Sequence, residues 1–175
     1  MNEKYYLAYG SNLSMGQMAQ RCPDAVYVGT ADIPDYQLLF KGSQSGSYLT
    51  IEPKAGCTVP VLVWKISKRD ERNLDRYEGC PSFYYKRLLP VSIHSLLSDS
   101  EVIQADAIVY IMHEERPLGM PTLHYYDICL EGYYRFGFNS KVLENALADW
   151  QPREANILSD KLEDVLDTLE KAFVA

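Results

Sequence analysis

The chain has 175 residues, enough for one domain with a full core and too few for two. It is 47% hydrophobic and 23% charged, a globular composition, and its net charge of −7 argues against nucleic acid or an anionic membrane as its main partner. An anionic small molecule must then be held by local dipoles rather than by the field of the whole protein.

Taken in chain order, residues 5–9 are aromatic and apolar and predict a buried strand. Gly10, Ser11 and Asn12 follow at once, three turn formers that can point backbone N–H groups outward together and so make an anion site. Gly10 suits both a close approach and a positive φ there. A short helix is expected next, capped by Ser14 and ended before Pro23. Residues 25–42 read as a strand in two pieces broken at Pro34 and Asp35, and residues 45–53 as a short strand closed by Pro53. The β-branched run 57–67 predicts a central or bent strand.

The period then changes. Residues 67–79 predict a helix, with Ser67 and Asp70 at capping-box spacing, Leu74 and Tyr77 on one face, and Gly79 where a left-handed residue ends it. Strands over 83–93 and 101–112 are joined by a polar loop from His94 to Ser100. Helices are expected over 121–137, with Pro121 in the first turn, and from Asn139. Beyond Trp150, Ile157, Leu158, Leu162, Val165, Leu166, Leu169 and Phe173 recur at steps of three and four. They predict an amphipathic helix, capped at Ser159, that packs on its own chain or on a second copy in a homodimer. Strands early and helices late predict an α+β fold: a bent mixed sheet or small barrel-like sheet with flanking helices over 1–150, followed by the helical segment 151–175. No βαβ alternation and no G-x-G-x-x-G supports a dinucleotide fold.

Fourteen tyrosines suit half-wet cavities. Four cysteines without any C-x-x-C are expected as free thiols, and three histidines without ligand spacing predict neither metal nor cofactor. The opening residues carry no basic stretch ahead of an apolar run, which predicts a cytoplasmic protein without a membrane partner. Ser11 lacks the G-x-S-x-G elbow of a nucleophile. Arg76 and Arg87 read as solvated charges, and Tyr84, Tyr85, Tyr133 and Tyr134 as pocket candidates whose plainer role is core packing. Glu78 is the most informative carboxylate. It sits in the last helical turn against the negative end of the macrodipole, which raises its proton affinity, and burial would raise it further. A carboxyl so tuned can accept and return a proton near neutral pH.

Two stretches carry a resemblance. Tyr9-Gly10-Ser11-Asn12-Leu13 and Leu74-Asp75-Arg76-Tyr77-Glu78-Gly79, in this order, resemble the paired motifs of the γ-glutamylcyclotransferase-like family, and the likeness extends over about residues 4–135. It implies Glu78 as general acid/base and Tyr9, Gly10, Ser11, Asn12 and Leu13 as substrate-binding residues, acting through the backbone N–H groups of the turn. It also implies Tyr125, in "PTLHY", as a cavity tyrosine, with Tyr126 one position away as the competing register. The implied reaction releases 5-oxoproline from a small γ-glutamyl amide without a cofactor. The alternative is a non-catalytic binding or interaction module on the same fold, and a cavity joining Glu78 to the turn separates the two.

Overall fold

A computed structural model describes residues 4–43, 46–98 and 101–149. The expected C-terminal helix lies outside these residues.

The run at Val59–Ile66 has Val61, Leu62, Val63 and Trp64 all buried, the mark of a strand paired on both edges. It belongs to β3 (Gly46–Ile66), which pairs antiparallel with β1 (Lys4–Ala8) on one side and β2 (Val26–Ser43) on the other. With β4 (Tyr84–Ser95) and β5 (Val102–Met112) the order is β1-β3-β2-β4-β5, closed into a barrel by parallel pairing of β5 with β1. The sheet is therefore mixed and barrel-like, and the fold is α+β, as expected.

Three boundaries differ from the sequence reading. β2 and β3 each run unbroken through their prolines, because the interruption is absorbed as a register shift between Pro34 and Tyr36. There Asp35 takes φ 59°, and its Oδ1 accepts from Gly56 N at 2.9 Å. β4 continues through His94 and Ser95, which pair with Thr30 and Gly29 of β2 and help close the barrel. Pro121 stands outside α3 (Leu123–Arg135), since the Thr122 hydroxyl accepts from Tyr125 N at 3.2 Å and so caps the helix one residue later.

Two close packings position the site. Helix α2 (Lys68–Tyr77) carries the full Ser67/Asp70 capping box, buries Leu74, and is stopped by Gly79 at φ 62°, a conformation costly for any residue with a Cβ. Asp75 of this helix accepts from Tyr110 Oη at 2.7 Å, which fastens α2 to β5. On the opposite side α3 presses on the 3-10 turn Ser11–Leu13: a Cβ at Gly132 would lie 2.5 Å from Leu13 Cβ. The other helices among the described residues are α1 (Met15–Arg21) and α4 (Ser140–Ala148), capped by Ser14 and Asn139.

Candidate active site

Between the turn and the end of α2 lies a cavity of about 460 Å³. Seven of the chain's fourteen tyrosines line it, so the unusual composition has a local cause. Gly10, Ser11 and Asn12 form one wall, Glu78 another, and Tyr125 a third.

The turn is a consequence of the strand end. β1 stops at Ala8, and the 3-10 bonds Leu13 N to Gly10 O (2.9 Å) and Ser14 N to Ser11 O (3.0 Å) consume only the later donors. Among the described residues the N–H groups of Ser11 and Asn12 have no acceptor, as the first donors of such a turn must. Trp64 Nε1 donates to Asn12 O at 3.2 Å and supports the turn from beneath.

Asn12 makes the central contact. Its Nδ2 donates to Tyr6 Oη at 2.8 Å and to Glu78 Oε1 at 3.2 Å, while its Oδ1 accepts from Arg21 Nη1 at 2.5 Å. Glu78 is the C-cap of α2, its N–H bonded to Leu74 O at 2.8 Å and its partly buried carboxyl facing the cavity. Burial pushes that carboxyl up to about 7, against the opposing pull of the Arg21 charge and the Asn12 hydrogen bond. Desolvation is the leading cause, where the sequence had pointed first to the helix end. Tyr6, Tyr9, Tyr84 and Tyr125 are driven well above the usual phenol range, first by burial and with a contribution from the charge of Glu78. They remain neutral hydrogen-bonding groups at any ordinary pH.

The sequence-predicted residues divide. Gly10, Ser11, Asn12, Glu78 and Tyr125 meet at the cavity. Gly10 has φ −119°, so the expected positive φ is absent; the glycine is needed for space, since a Cβ would lie 3.0 Å from Tyr125 Oη. Ser11 Oγ accepts from Arg21 Nη1 at 3.1 Å. The ring of Tyr9 lines the cavity while its hydroxyl is spent on Tyr110 O at 2.5 Å. Leu13 is a correction: its side chain is fully buried under Gly132, and its N–H is taken by Gly10 O, so it offers the cavity nothing. Tyr125 Oη accepts from Leu49 N at 3.2 Å, whereas Tyr126 packs beside Phe40 away from the cavity wall. Tyr84 also reaches the cavity, donating to Leu49 O at 2.9 Å. The hydroxyls of Tyr125 and Tyr84 thus occupy the backbone groups of Leu49 on the side of β3 that faces away from β2. Tyr85 turns outward to Glu114, Tyr133 is core, and Tyr134 is exposed.

Arg21, Tyr6 and Tyr110 were missed. Tyr6 and Tyr110 lie in stretches of β1 and β5 that are buried on consecutive residues, so no alternation singles them out, and nothing near Arg21 in the chain distinguishes it from a solvated helix-end charge. Away from the cavity His113, Glu114 and Glu115 cluster at the surface, where His113 Nε2 already lies 2.7 Å from Pro81 O and Glu114 accepts from Tyr85.

A closed α+β barrel thus carries a tyrosine-walled cavity in which, among the described residues, Glu78 is the one carboxyl in the lining and faces the donor-bearing turn. The family described as "Gamma-glutamyl cyclotransferase, AIG2-like" matches residues 6–133, and the chain belongs to that family. It is 26% identical over 168 residues to the Homo sapiens protein named gamma-glutamylcyclotransferase, covering 92% of this chain and 86% of that one. Its likeness to the Mus musculus protein of the same name is 29% over 170 residues, with the same coverage. A solved structure named "Gamma-glutamyl cyclotransferase" superposes with a TM-score of 0.71 at 25% identity, over 83% of this chain and 86% of that one. No helix among the described residues is long and apolar enough to cross a membrane.

Proposed function

We propose that the protein releases 5-oxoproline from a small γ-glutamyl amide, with Glu78 as general acid/base. One observation carries this reading: Glu78 Oε1 lies 3.2 Å from Asn12 Nδ2, so the carboxyl that alone among the described residues lines the cavity shares a single enclosure with the turn and its unfilled donors. A binding module has no need of a carboxyl tuned to about 7 at that point.

The chemistry is intramolecular. The α-amino nitrogen attacks the γ-carbonyl carbon and closes a five-membered ring, so the cavity has only to fold the chain into a near-attack shape. The α-amino group attacks in its neutral form, and ionised Glu78 takes the proton that the attacking nitrogen loses as the ring closes. The N–H groups of Ser11 and Asn12 hold the α-carboxylate or the developing oxyanion through preorganised dipoles. When the tetrahedral centre collapses, the bond to the leaving nitrogen breaks and Glu78 returns the proton to it. A group titrating at about 7 is present in both forms near neutral pH, as both halves of that cycle require. Tyr125 confines the substrate beside Gly10. Incubation with a panel of γ-glutamyl dipeptides and γ-glutamyl amines, followed by detection of 5-oxoproline, tests the reading. Binding without product across the panel would sink it in favour of the binding module.

A further inference from the structure

We propose that Arg21 is a positioning residue for Glu78 and acts through Asn12: its guanidinium fixes which end of the Asn12 amide faces the carboxyl. The proposal rests on the cyclotransferase reading for the role of Glu78, but not for the relay itself.

Arg21 ends α1 and is gripped from several sides. Its carbonyl accepts from Asn73 Nδ2 of α2 at 3.0 Å, and its guanidinium carbon lies 3.7 Å from the centre of the Tyr77 ring. Its Nη1 donates to Asn12 Oδ1 at 2.5 Å and to Ser11 Oγ at 3.1 Å. A guanidinium has donors and no acceptor. The end of Asn12 that meets it must therefore be the oxygen, and the NH2 end must face Tyr6 and Glu78. Both hydrogens of that NH2 are then used, one on Tyr6 Oη and one on Glu78 Oε1. Among the described residues Glu78 Oε2 has no hydrogen-bond partner and is left to meet the substrate. The same arginine steadies Ser11, whose N–H belongs to the donor wall, so one side chain orders both halves of the site.

The phenols and thiols around Glu78 are neutral, and Asp75 of α2 is engaged by Tyr110 Oη and Lys86 Nζ. Tyr6 and Tyr9 of β1, Tyr84 of β4, Tyr110 of β5 and Tyr125 of α3 are all raised by burial, as are the Cys22 and Cys80 thiols. Arg21 is the charge that acts on Glu78. Without it the Asn12 amide is free to turn over and present Oδ1, which only a protonated carboxyl can satisfy. Loss of the charge and loss of the lock act in the same direction, toward a Glu78 that keeps its proton at neutral pH.

Substrate-free NMR titration of the ¹³C-labelled Glu78 carboxyl tests this directly. In Arg21→Met the midpoint should rise by about one pH unit, the scale of losing one nearby opposite charge, and the acidic limb of kcat/KM should move with it. Arg21→Leu, which likewise removes both the charge and the donor to Asn12 Oδ1, is the second variant should the first not fold. In the wild type the Asn12 side-chain amide and Arg21 guanidinium ¹⁵N signals should shift with the same midpoint as Glu78. An unchanged midpoint in whichever variant folds, or wild-type Asn12 and Arg21 signals indifferent to the titration, overturns the proposal. A uniform fall in kcat at an unmoved pH profile would show a merely structural arginine. If the wild type forms no 5-oxoproline, the reaction assignment fails while the titration still decides the relay.

Discussion

Glu71 and Glu78 stand two turns apart, one in the first turn of α2 and one at its C-cap, and they meet opposite surroundings. Glu71 is held between Lys4 Nζ at 2.8 Å and Lys86 Nζ at 2.9 Å. Burial pushes its carboxyl up, but the hydrogen bonds and charges of the two lysines more than offset this and hold it below the usual range. Glu78 is desolvated too, with an amide and one arginine as its only counterweights, and it rises to about 7. The same side chain is thus a permanently charged strut between β1, α2 and β4 in one place and a titrating group in the other. Two things decide: how deeply the carboxyl is desolvated, more so at Glu78, and how many full positive charges touch it, two at Glu71.

Removing the titration at Glu78 should have the largest effect. Glu78→Gln is expected to lower turnover by about 100-fold or more while the fold survives. Stability should move the other way. Because the folded state raises this carboxyl from 4.5 to about 7, Glu78 favours folding most below pH 4.5, and that contribution is lost as pH rises through 7. Urea melts should therefore show the variant gaining on the wild type between pH 5 and pH 8, by up to roughly 3 kcal/mol. Parallel stability curves would mean that Glu78 is not desolvated as described.

Gly10→Val comes next. Its side chain would drive into Tyr125 Oη and narrow the cavity at the donor turn, so kcat/KM should fall by about 100-fold, the cost of an ångström-scale misplacement. Ser11→Ala removes only the hydroxyl that accepts from Arg21 and should keep much of the activity. If the order of these two were reversed, a side chain rather than the backbone would be acting at the turn.

Tyr125→Phe loses the hydroxyl that accepts from Leu49 N, and catalysis should weaken by about 1–2 kcal/mol. Tyr126→Phe should behave like the wild type, and an effect at 126 without one at 125 would break the cavity assignment. The smallest effect is expected at Glu71→Gln. Activity should be unchanged and stability lower by a few tenths to about 1 kcal/mol at low salt. Since folding lowers the proton affinity of Glu71, that difference is present above the ordinary carboxylate range, fades as pH falls through it, and shrinks with added salt.

Much of the frame was legible locally. The Ser67/Asp70 box, the left-handed Gly79 and the caps at Ser14 and Asn139 are short-range hydrogen-bond or steric requirements, and the structure meets each of them. The strands were legible in place but not in extent. Pro34 and Pro53 look like terminators along the chain, yet a register shift across two long paired strands accommodates both. Likewise the loop expected from His94 gave way to pairing of His94 with Thr30, a partner 64 residues earlier that no local rule could supply.

By itself the sequence determined the periodic elements, the α+β class, the donor-bearing turn after the first strand and the carboxyl placed at a helix end, all from residues within a few positions of one another. Tertiary structure alone decided the rest. It closed β5 onto β1, turned Leu13 under α3, chose Tyr125 over Tyr126 for the cavity, and brought Arg21, Asn12 and Glu78 into one chain of hydrogen bonds. The physical reason is that desolvation and charge pairing depend on what surrounds a group in space. Glu78 acquires its raised proton affinity only when the barrel removes it from water, and the Arg21 charge comes to act on Glu78 only when α1 and α2 pack side by side.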